Sequence, residues 1–524
     1  MASNGPGPIP NLLRPANPNE RPTERSAETE QPSYGEQLWA QYEKYAKEPT
    51  PPPEKVQVAL RVGVFFDGTG NNASNSAMGQ LCGAQHPIEP RDLDGSCKPY
   101  MRDPESSYGN GMSNVKRLSD LYFAEQESES EGLQRRAFRS IYIEGIGTQA
   151  GEKDSVITSG TGRGGTGVIG CVQKAFIEIK QRLGIFLEQN PDSEISSLTF
   201  DTFGFSRGAA AARHFANEVV RWVGPLELIL HDHSDAFSPN FNRQYGHDID
   251  MGFIGLFDTV PSVAGLSNLG NVRSAIAPGI KLHLDRRYFR SVVQLVARDE
   301  YRTNFALSRV KPDHLEITLP GAHSDIGGGY LDEVQECVLV SPMQALEVPI
   351  NSDVTQTSIY RDALRTRKRW LAQGWPEEWL EIVTPEPMVL PQDSQDRLGL
   401  RQKRVYAGVQ LKRLMSNKLS LVCLRVMYEL AKQQGVRFQG IPDIPEHEIP
   451  AELQSLCDRF VAGDYSTTPA EEDMLKLRYI HLSAHWNHPL GKQDGSSLKV
   501  VYINAPTVDA VRVQHPHVPD WTLW

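Results

Sequence analysis

The sequence predicts an α/β protein, a mostly parallel sheet flanked by helices, with insertions and a C-terminal extension of helical and β segments. Three observations carry this. Short apolar, β-branched runs alternate with helical patterns from Val56 to about Leu319, the signature of βαβ units. One strand-to-helix junction holds Gly204-Phe-Ser-Arg-Gly208, where small residues permit a tight turn. The composition, 39% apolar and 23% charged over 524 residues, is that of a globular chain rather than a disordered or fibrous one.

Residues 1 to 55 are rich in Pro, Asn, Gln, Glu and Ser and end in Pro51-Pro-Pro53, so they read as an extended, disordered arm. Within it, Gly35 to Lys47 has the spacing of one short amphipathic helix. The catalytic-core candidate, residues 56 to 330, opens on Val56 to Phe66, an apolar, β-branched run expected of a buried strand. Asp67 to Tyr108 is polar and rich in Gly and Asn, which predicts a long loop. Ser140 to Glu144 predicts a strand, and the Gly-rich stretch Gly160 to Gly170 leads into a helix ending near Gln189. Leu198 to Phe203, Gly252 to Phe257 and His314 to Leu319 predict strands. Ser206 to Val223 and Tyr288 to Glu300 predict helices. Residues 331 to 524 are expected to complete or cover the core as an insertion or lid. Helical patches fall at Arg361 to Glu381 and Val405 to Gln434, and β character returns at Leu498 to Ile503 and Ala510 to Gln514.

Charge and cysteine content narrow the class. Fifty-four Lys and Arg against 65 Asp and Glu give a net charge of −11, which argues against a nucleic acid partner. No apolar run reaches the ~18 residues of a spanning helix, and the N-terminus lacks the charged and apolar regions of a cleaved signal peptide. Six cysteines are too few and too scattered for a disulfide scaffold or zinc cluster. Cys82 and Cys97 share one polar loop and would pair in an oxidising compartment, but two separate thiols is the reading favoured here.

The chemistry concentrates after strands. Leu198 to Phe203, then Gly204-Phe-Ser206-Arg-Gly208 and four alanines, is Gly-x-Ser-x-Gly in the strand–turn–helix context of a nucleophile elbow. Ser206 is the candidate nucleophile, and the Arg207 amide at the helix start is a candidate oxyanion donor. Asp258 closes Phe253-Ile-Gly-Leu-Phe257, and His323 follows Leu315 to Leu319 in a Gly-rich loop. Serine, then acid, then histidine is the chain order of α/β-hydrolases. His481 and His485 lie later and compete with His323; His214, on the helix after Ser206, is expected to pack. The turn Asp67-Gly68-Thr69-Gly-Asn71 after the first strand could supply a second oxyanion amide, from Gly68 or Thr69. Asp67 could instead serve as the acid or hold a cation. The residues suggest no cofactor, although Asp325, near His323, could join a calcium site built with carbonyls.

Four blocks together resemble one family. Val64-Phe-Phe-Asp-Gly-Thr-Gly-Asn-Asn72, Tyr142-Ile-Glu-Gly-Ile-Gly-Thr148, Gly204-Phe-Ser-Arg-Gly-Ala209 and Gly321-Ala-His-Ser-Asp-Ile-Gly-Gly-Gly-Tyr330 are similar to the first class of type VI secretion lipase effectors. The Gly-Leu-Phe-Asp-Thr-Val block at Asp258 and Ala297-Arg-Asp-Glu-Tyr301 agree. The resemblance implies an α/β-hydrolase with Ser206 as nucleophile, Asp258 as acid and His323 as base, hydrolysing acyl esters of glycerophospholipids at a membrane surface. It further implies an antibacterial toxin made in the cytoplasm and secreted without a signal peptide. Such a toxin acts in the target-cell periplasm, with a spike protein and a cognate periplasmic immunity protein as partners. Two other readings fit the residues themselves: a cytoplasmic esterase or thioesterase on soluble acyl esters, and a non-catalytic hydrolase fold used for binding.

Overall fold

The computed structural model describes residues 33–45, 55–123, 126–127, 134–154, 167–261, 279–391, 400–486 and 504–519. The chain divides into two units, Met1–Glu54 and Lys55–Trp524. In the first, helix α1 (Tyr34–Tyr45) starts where Ser33 and Glu36 cap each other. The Glu36 carboxylate accepts from the Ser33 amide at 2.8 Å, and the Glu36 amide donates to Ser33 Oγ at 3.3 Å. The rest of the expected arm lies outside the described residues.

In the second unit the chain runs β1 (Val56–Phe66), α2 (Ala73–Cys82), α3 (Asn114–Leu121), β2 (Gln126–Glu127), β3 (Gln134–Ile143), α4 (Val168–Gln189), β4 (Ser193–Phe205), α5 (Arg207–Val220), α6 (Pro225–Asp232), β5 (Ile249–Phe257), β6 (Val292–Ala297), β7 (Leu307–Ser308), β8 (Leu315–Leu319) and α7 (His323–Gly327). Among the described residues these strands build a seven-stranded sheet in the order β2-β3-β1-β4-β5-β6-β8, parallel except for the antiparallel edge β2. Successive side chains of a strand point to opposite faces, and the two cores divide accordingly. Leu198 and Phe200 of β4 pack with α4, α5 and α6, whereas Phe203 and Phe205 face α3 and a later helix.

That later helix belongs to the segment after Leu331, which continues β9 (Glu333–Leu339), β10 (Gln344–Pro349), α8 (Ser358–Ala372), β11 (Leu380–Val383), β12 (Met388–Val389), β13 (Gln402–Ser416), α9 (Leu419–Gln433), α10 (Ala451–Val461), α11 (Pro469–Arg478) and β14 (Gln514–His515). Strand β13 is the spine of an antiparallel sheet: its first half pairs with β10 and β12, its second with β11 and β9. Helix α9 covers the second face of the main sheet, with Leu421, Val422, Leu424 and Met427 buried in that core. The segment therefore supplies part of the core itself.

Several expectations are corrected. Tyr288 to Glu300 is not a helix: its centre is β6, six residues buried at every position, three of them valines, which suits a central strand. Val405 to Gln434 is half strand and half helix, broken at Asn417 between β13 and α9. The patch at Arg361 to Glu381 is α8 followed by the start of β11. The loop from Asp67 to Tyr108 holds α2, capped by Asn72 Oδ1 on the Asn75 amide at 3.1 Å. Its two cysteines pair: Cys82 and Cys97 form a disulfide with Cα atoms 5.5 Å apart, against the separate-thiol reading. β character near Ala510 shrinks to β14, while Leu498 to Ile503 and most of Gly160 to Gly170 lie outside the described residues.

Candidate active site

In an open parallel sheet, sites form beyond the carboxyl ends of the strands where strand order reverses. Here β1 is followed by β3 on one side and β4 on the other, so the switch point lies between β1 and β4. The two turns that leave it carry Asp67-Gly68-Thr69 and Ser206. Ser206 has φ 58° and ψ −122°, off the regions open to most side chains. Backbone bonds hold it there. The Ser206 amide donates to Phe257 O at 2.9 Å, and its carbonyl accepts from the amides of Ala209 at 3.1 Å and Val260 at 3.3 Å. The flanking glycines are a packing requirement. A β-carbon on Gly204 would lie 2.4 Å from Gly208 O, and one on Gly208 would lie 2.3 Å from the carbonyl oxygens of both Phe66 and Asp67.

Asp258 ends β5, the neighbour of β4, and His323 begins α7 just past β8. His323 Nδ1 and Asp258 Oδ2 are 2.5 Å apart, both side chains buried. Asp258 adopts φ 47°, and its Oδ1 accepts from the Ala297 amide at 3.0 Å. Arg512 donates to both carboxylate oxygens, Nη1 to Oδ1 at 2.6 Å and Nη2 to Oδ2 at 2.9 Å. Burial by itself would raise the Asp258 pKa, but Arg512 and His323 outweigh it and hold the carboxyl well below its usual range. Burial pushes His323 down, only partly offset by Asp258, so the imidazole rests neutral at neutral pH, as a base must. Phe205, the residue before Ser206, lies against the His323 ring with centroids 4.6 Å apart, and Phe305 meets it edge-on at 4.9 Å.

A second carboxylate stands behind the histidine. Glu300 is buried and takes the Arg302 guanidinium at 2.7 Å, the Ser483 hydroxyl at 3.0 Å and the His323 amide at 3.4 Å. Arg302 also stacks on Phe305, 3.3 Å from the ring centroid.

The turn after β1 distinguishes its two oxyanion candidates. The Gly68 amide is spent on Asp67 Oδ1 at 2.7 Å. Thr69 Oγ1 is buried with no hydrogen-bond partner among the described residues, a donor awaiting an acceptor. Asp67 is not paired with a histidine. Its carboxyl accepts from Tyr142 Oη at 2.6 Å, and burial raises its pKa. The Arg207 amide opens α5, where the helix directs N–H groups outward.

The rival histidines have other partners. His481 Nδ1 meets Asp325 Oδ1 at 2.7 Å, and Asp325 Oδ2 accepts from the amides of Ala322 and His481 at 2.9 and 3.0 Å. Donors thus surround the carboxylate on which a calcium site would centre. His214 packs on α5, its Nδ1 accepting from the Lys281 amide at 3.3 Å, and His485 Nε2 lies 3.4 Å from Asn504 Nδ2. His283, Asp313 and His517 cluster as metal ligands would. However, His517 Nδ1 meets Asp313 Oδ2 at 2.7 Å while Nε2 accepts from the Leu284 amide at 2.9 Å. A metal on Nδ1 would leave that imidazole without its proton, so the cluster suits a neutral hydrogen-bonded histidine better than a metal.

The structure thus joins Asp258 to His323 and sets both beside the Ser206 turn. Sequence reasoning missed Arg512 and Glu300. Arg512 stands 254 residues from Asp258 with no motif around it. Glu300 had a signal, the charged run Arg298-Asp-Glu-Tyr-Arg302 directly after an apolar strand.

Residues 230–347 match the family model of the type VI secretion phospholipase effectors, Tle1-like, catalytic domain. That segment holds Asp258 and His323, and Ser206 precedes it. The solved structure of the Tle1 effector bound to the VgrG spike from the type 6 secretion system is similar to this chain with TM-score 0.66 and 29% identity, over 88% of this chain and 94% of that one. A crystal structure of an uncharacterized protein from Pseudomonas aeruginosa aligns at TM-score 0.30 and 20% identity over 56% of this chain and 43% of that one, too distant to carry an argument. No curated protein matches the sequence. Motif blocks, family model and matched fold converge on one likeness: residues 230–347 are similar to the Tle1-like catalytic domain of type VI secretion phospholipase effectors, and the chain shares the fold of the solved Tle1 effector.

Proposed function

We propose that the protein is a serine-dependent phospholipase of the A type, releasing a fatty acid from glycerophospholipids. The observation that carries this is the 2.5 Å contact between His323 Nδ1 and Asp258 Oδ2, on the strand end next to a serine held at φ 58°. In this reading His323 Nε2 takes the Ser206 proton as Oγ attacks the ester carbonyl, and Asp258 fixes the tautomer and stabilises the imidazolium. The oxyanion forms between the Arg207 amide and Thr69, whose amide and unpartnered hydroxyl both lie on the turn across the switch point. His323 returns its proton to the leaving lysophospholipid oxygen. Water, activated by the same histidine, then frees the acyl group from Ser206.

Delivery follows from the same likeness. The matched effector is bound to a VgrG spike, and a chain sharing its fold over 88% of its length would ride the same kind of spike. We place its action at the membrane surface of the target-cell periplasm, with a cognate immunity protein there. Among the described residues no helix is long and apolar enough to cross a membrane, which suits contact from one side. The Cys82–Cys97 disulfide favours an oxidising compartment.

Labelling with a fluorophosphonate and product analysis on phosphatidylethanolamine–phosphatidylglycerol vesicles test the reading. The wild type should be labelled and yield free fatty acid plus lysophospholipid, and Ser206→Ala should do neither. Hydrolysis that survives in Ser206→Ala, or diacylglycerol as product, would overturn it. Growth arrest on export to the periplasm but not on cytoplasmic expression tests the site of action.

A further inference from the structure

The chain reaches the active site a last time through residues 504–519. Thr303 N donates to Ala505 O at 3.0 Å, Thr507 N to Tyr301 O at 2.9 Å, Leu307 N to Val513 O at 2.9 Å and Arg309 N to His515 O at 3.0 Å. The segment therefore lies along residues 301–309 and closes with the parallel pairing of β14 on β7. From it Arg512, 8% exposed, donates Nε to Phe305 O at 2.7 Å and both Nη groups to Asp258. A planar guanidinium on two carboxylate oxygens fixes their rotation as well as their position. Asp258 is thus presented to His323 in one orientation, with the Ala297 amide as a further restraint on Oδ1.

The two carboxylates that bond His323 are each paired with a guanidinium. From β5 comes Asp258; from the loop after β6 come Glu300 and its partner Arg302; from the C-terminal segment comes Arg512. The Ser483 hydroxyl donates to Glu300, and on the histidine's own turn Asp325 is engaged by His481. The faces of the ring meet Phe205 and Phe305. Asp258 is thus offset by Arg512 and Glu300 by Arg302. Without Arg512 the Asp258 charge would stand uncompensated beside His323, and a protonated imidazole would be favoured at rest. That form cannot accept the serine proton.

We propose that Arg512 is a positioning residue for the hydrolysis, gripping Asp258 in the orientation that receives His323 Nδ1–H and offsetting the Asp258 charge so that the histidine rests as the free base. This rests on the Ser206–Asp258–His323 reading above. It goes beyond that reading by assigning a fourth side chain to the machinery, from a part of the chain that none of the motif blocks reaches. A residue that only tethered the C-terminal segment would, when lost, lower rate and stability alike at every pH. The proposed role moves the pH dependence.

The test uses the full chain as wild type, Arg512→Gln and Arg512→Lys, with kcat/KM and kcat followed from pH 4 to 9 on monomeric short-chain phosphatidylglycerol. In Arg512→Gln the acid limb of kcat/KM should move up by about 1 pH unit or more, the effect expected of one charge removed within ~4–6 Å. Its plateau kcat should fall at least about ten-fold as alignment loosens. Arg512→Lys keeps the charge and loses the fork, so its limb should stay in place while its plateau falls. An unmoved limb in Arg512→Gln overturns the charge role, as does a limb in Arg512→Lys that moves equally far. A full plateau in Arg512→Lys overturns the orienting role. If Arg512→Gln does not fold, judged by circular dichroism, the limb and plateau of Arg512→Lys decide. Fluorophosphonate labelling separates the two levels. An unlabelled wild type sinks the triad itself, whereas a labelled wild type with an unmoved Arg512→Gln limb sinks only this proposal.

Discussion

Ser206 should cost the fold stability, and replacing it with glycine should return some. At φ 58° and ψ −122° an L-residue is strained, by about 1–3 kcal/mol for such sparsely populated backbone. The usual benefit of a serine before a helix is missing, because Ser206 makes no side-chain bond to the first turn of α5. The conformation is imposed by backbone bonds to Phe257, Ala209 and Val260, none of which involves Oγ. Ser206→Gly relieves the strain and keeps these bonds, but it loosens the unfolded chain by about 0.4–1 kcal/mol. The balance is about 0–2.6 kcal/mol, roughly 1.3 kcal/mol at the middle of both ranges, in favour of the glycine variant over Ser206→Ala, which keeps the strain and lacks the hydroxyl.

Urea denaturation of the full chain, followed by tryptophan fluorescence at pH 7.5, reads the difference as a shift in midpoint at constant slope. Both variants should be inactive and refuse the fluorophosphonate. The reasoning would be refuted if Ser206→Gly proved no more stable than Ser206→Ala. Strain at the turn would then be absent, or the surrounding bonds would not be what imposes it.

Two further outcomes are expected. Burial pushes His214 and His485 down to about 4, so the unfolded chain binds more protons than the folded one between that value and the ordinary 6.5. Stability is therefore present above 6.5 and lost as pH falls toward 4, and His214→Gln should flatten that slope in urea midpoints taken at pH 7.5 and 5; an equal slope would count against it. The Cys82–Cys97 bond closes a separation of 15 residues, worth roughly 3 kcal/mol by loop entropy. Cys82→Ser/Cys97→Ser should lower the stability of the loop around α2 and speed its proteolytic nicking, and dithiothreitol should have no such effect on that variant. Equal nicking of wild type and variant without reductant would contradict this.

The main sheet was legible where an apolar run ends on chemistry. Val56 to Phe66 is β1 at both ends, because the valine-rich run ends fully buried at Val62 to Phe66 and stops at a Gly-rich turn. Ser206, Asp258 and His323 all follow such runs, and the carboxyl edge of a parallel sheet gathers those positions from distant parts of the sequence. Val292 to Ala297 failed for a physical reason: a strand buried on both faces has no alternation, and a short apolar run reads equally as helix. Strand β13 was hidden likewise, its residues Val405 to Leu411 being buried without interruption. Separate thiols at Cys82 and Cys97 were favoured because composition carries no pairing distance. Gly68 and Thr69 could not be told apart, since which amide is spent on Asp67 depends on a side-chain rotamer rather than on spacing.

Arg512 marks the limit of motif reading and also explains why the late segment is needed. A buried carboxylate is costly until its charge is compensated, and Asp258 has its guanidinium only after residues 504–519 dock. The same docking delivers Nε to Phe305 O, and Phe305 in turn meets the ring of His323. The geometry proposed for catalysis is therefore coupled to the completion of the fold: a chain in which only the seven-stranded sheet has formed would have Ser206, Asp258 and His323 near one another without Asp258 gripped by Arg512. The segment after Leu331 contributes at both ends of that requirement, α9 by covering the sheet and the C-terminal stretch by fixing Asp258. A net charge of −11 does not conflict with a site of this kind, because Asp258 and Glu300 beside His323 are each paired with a guanidinium whatever the composition of the whole chain.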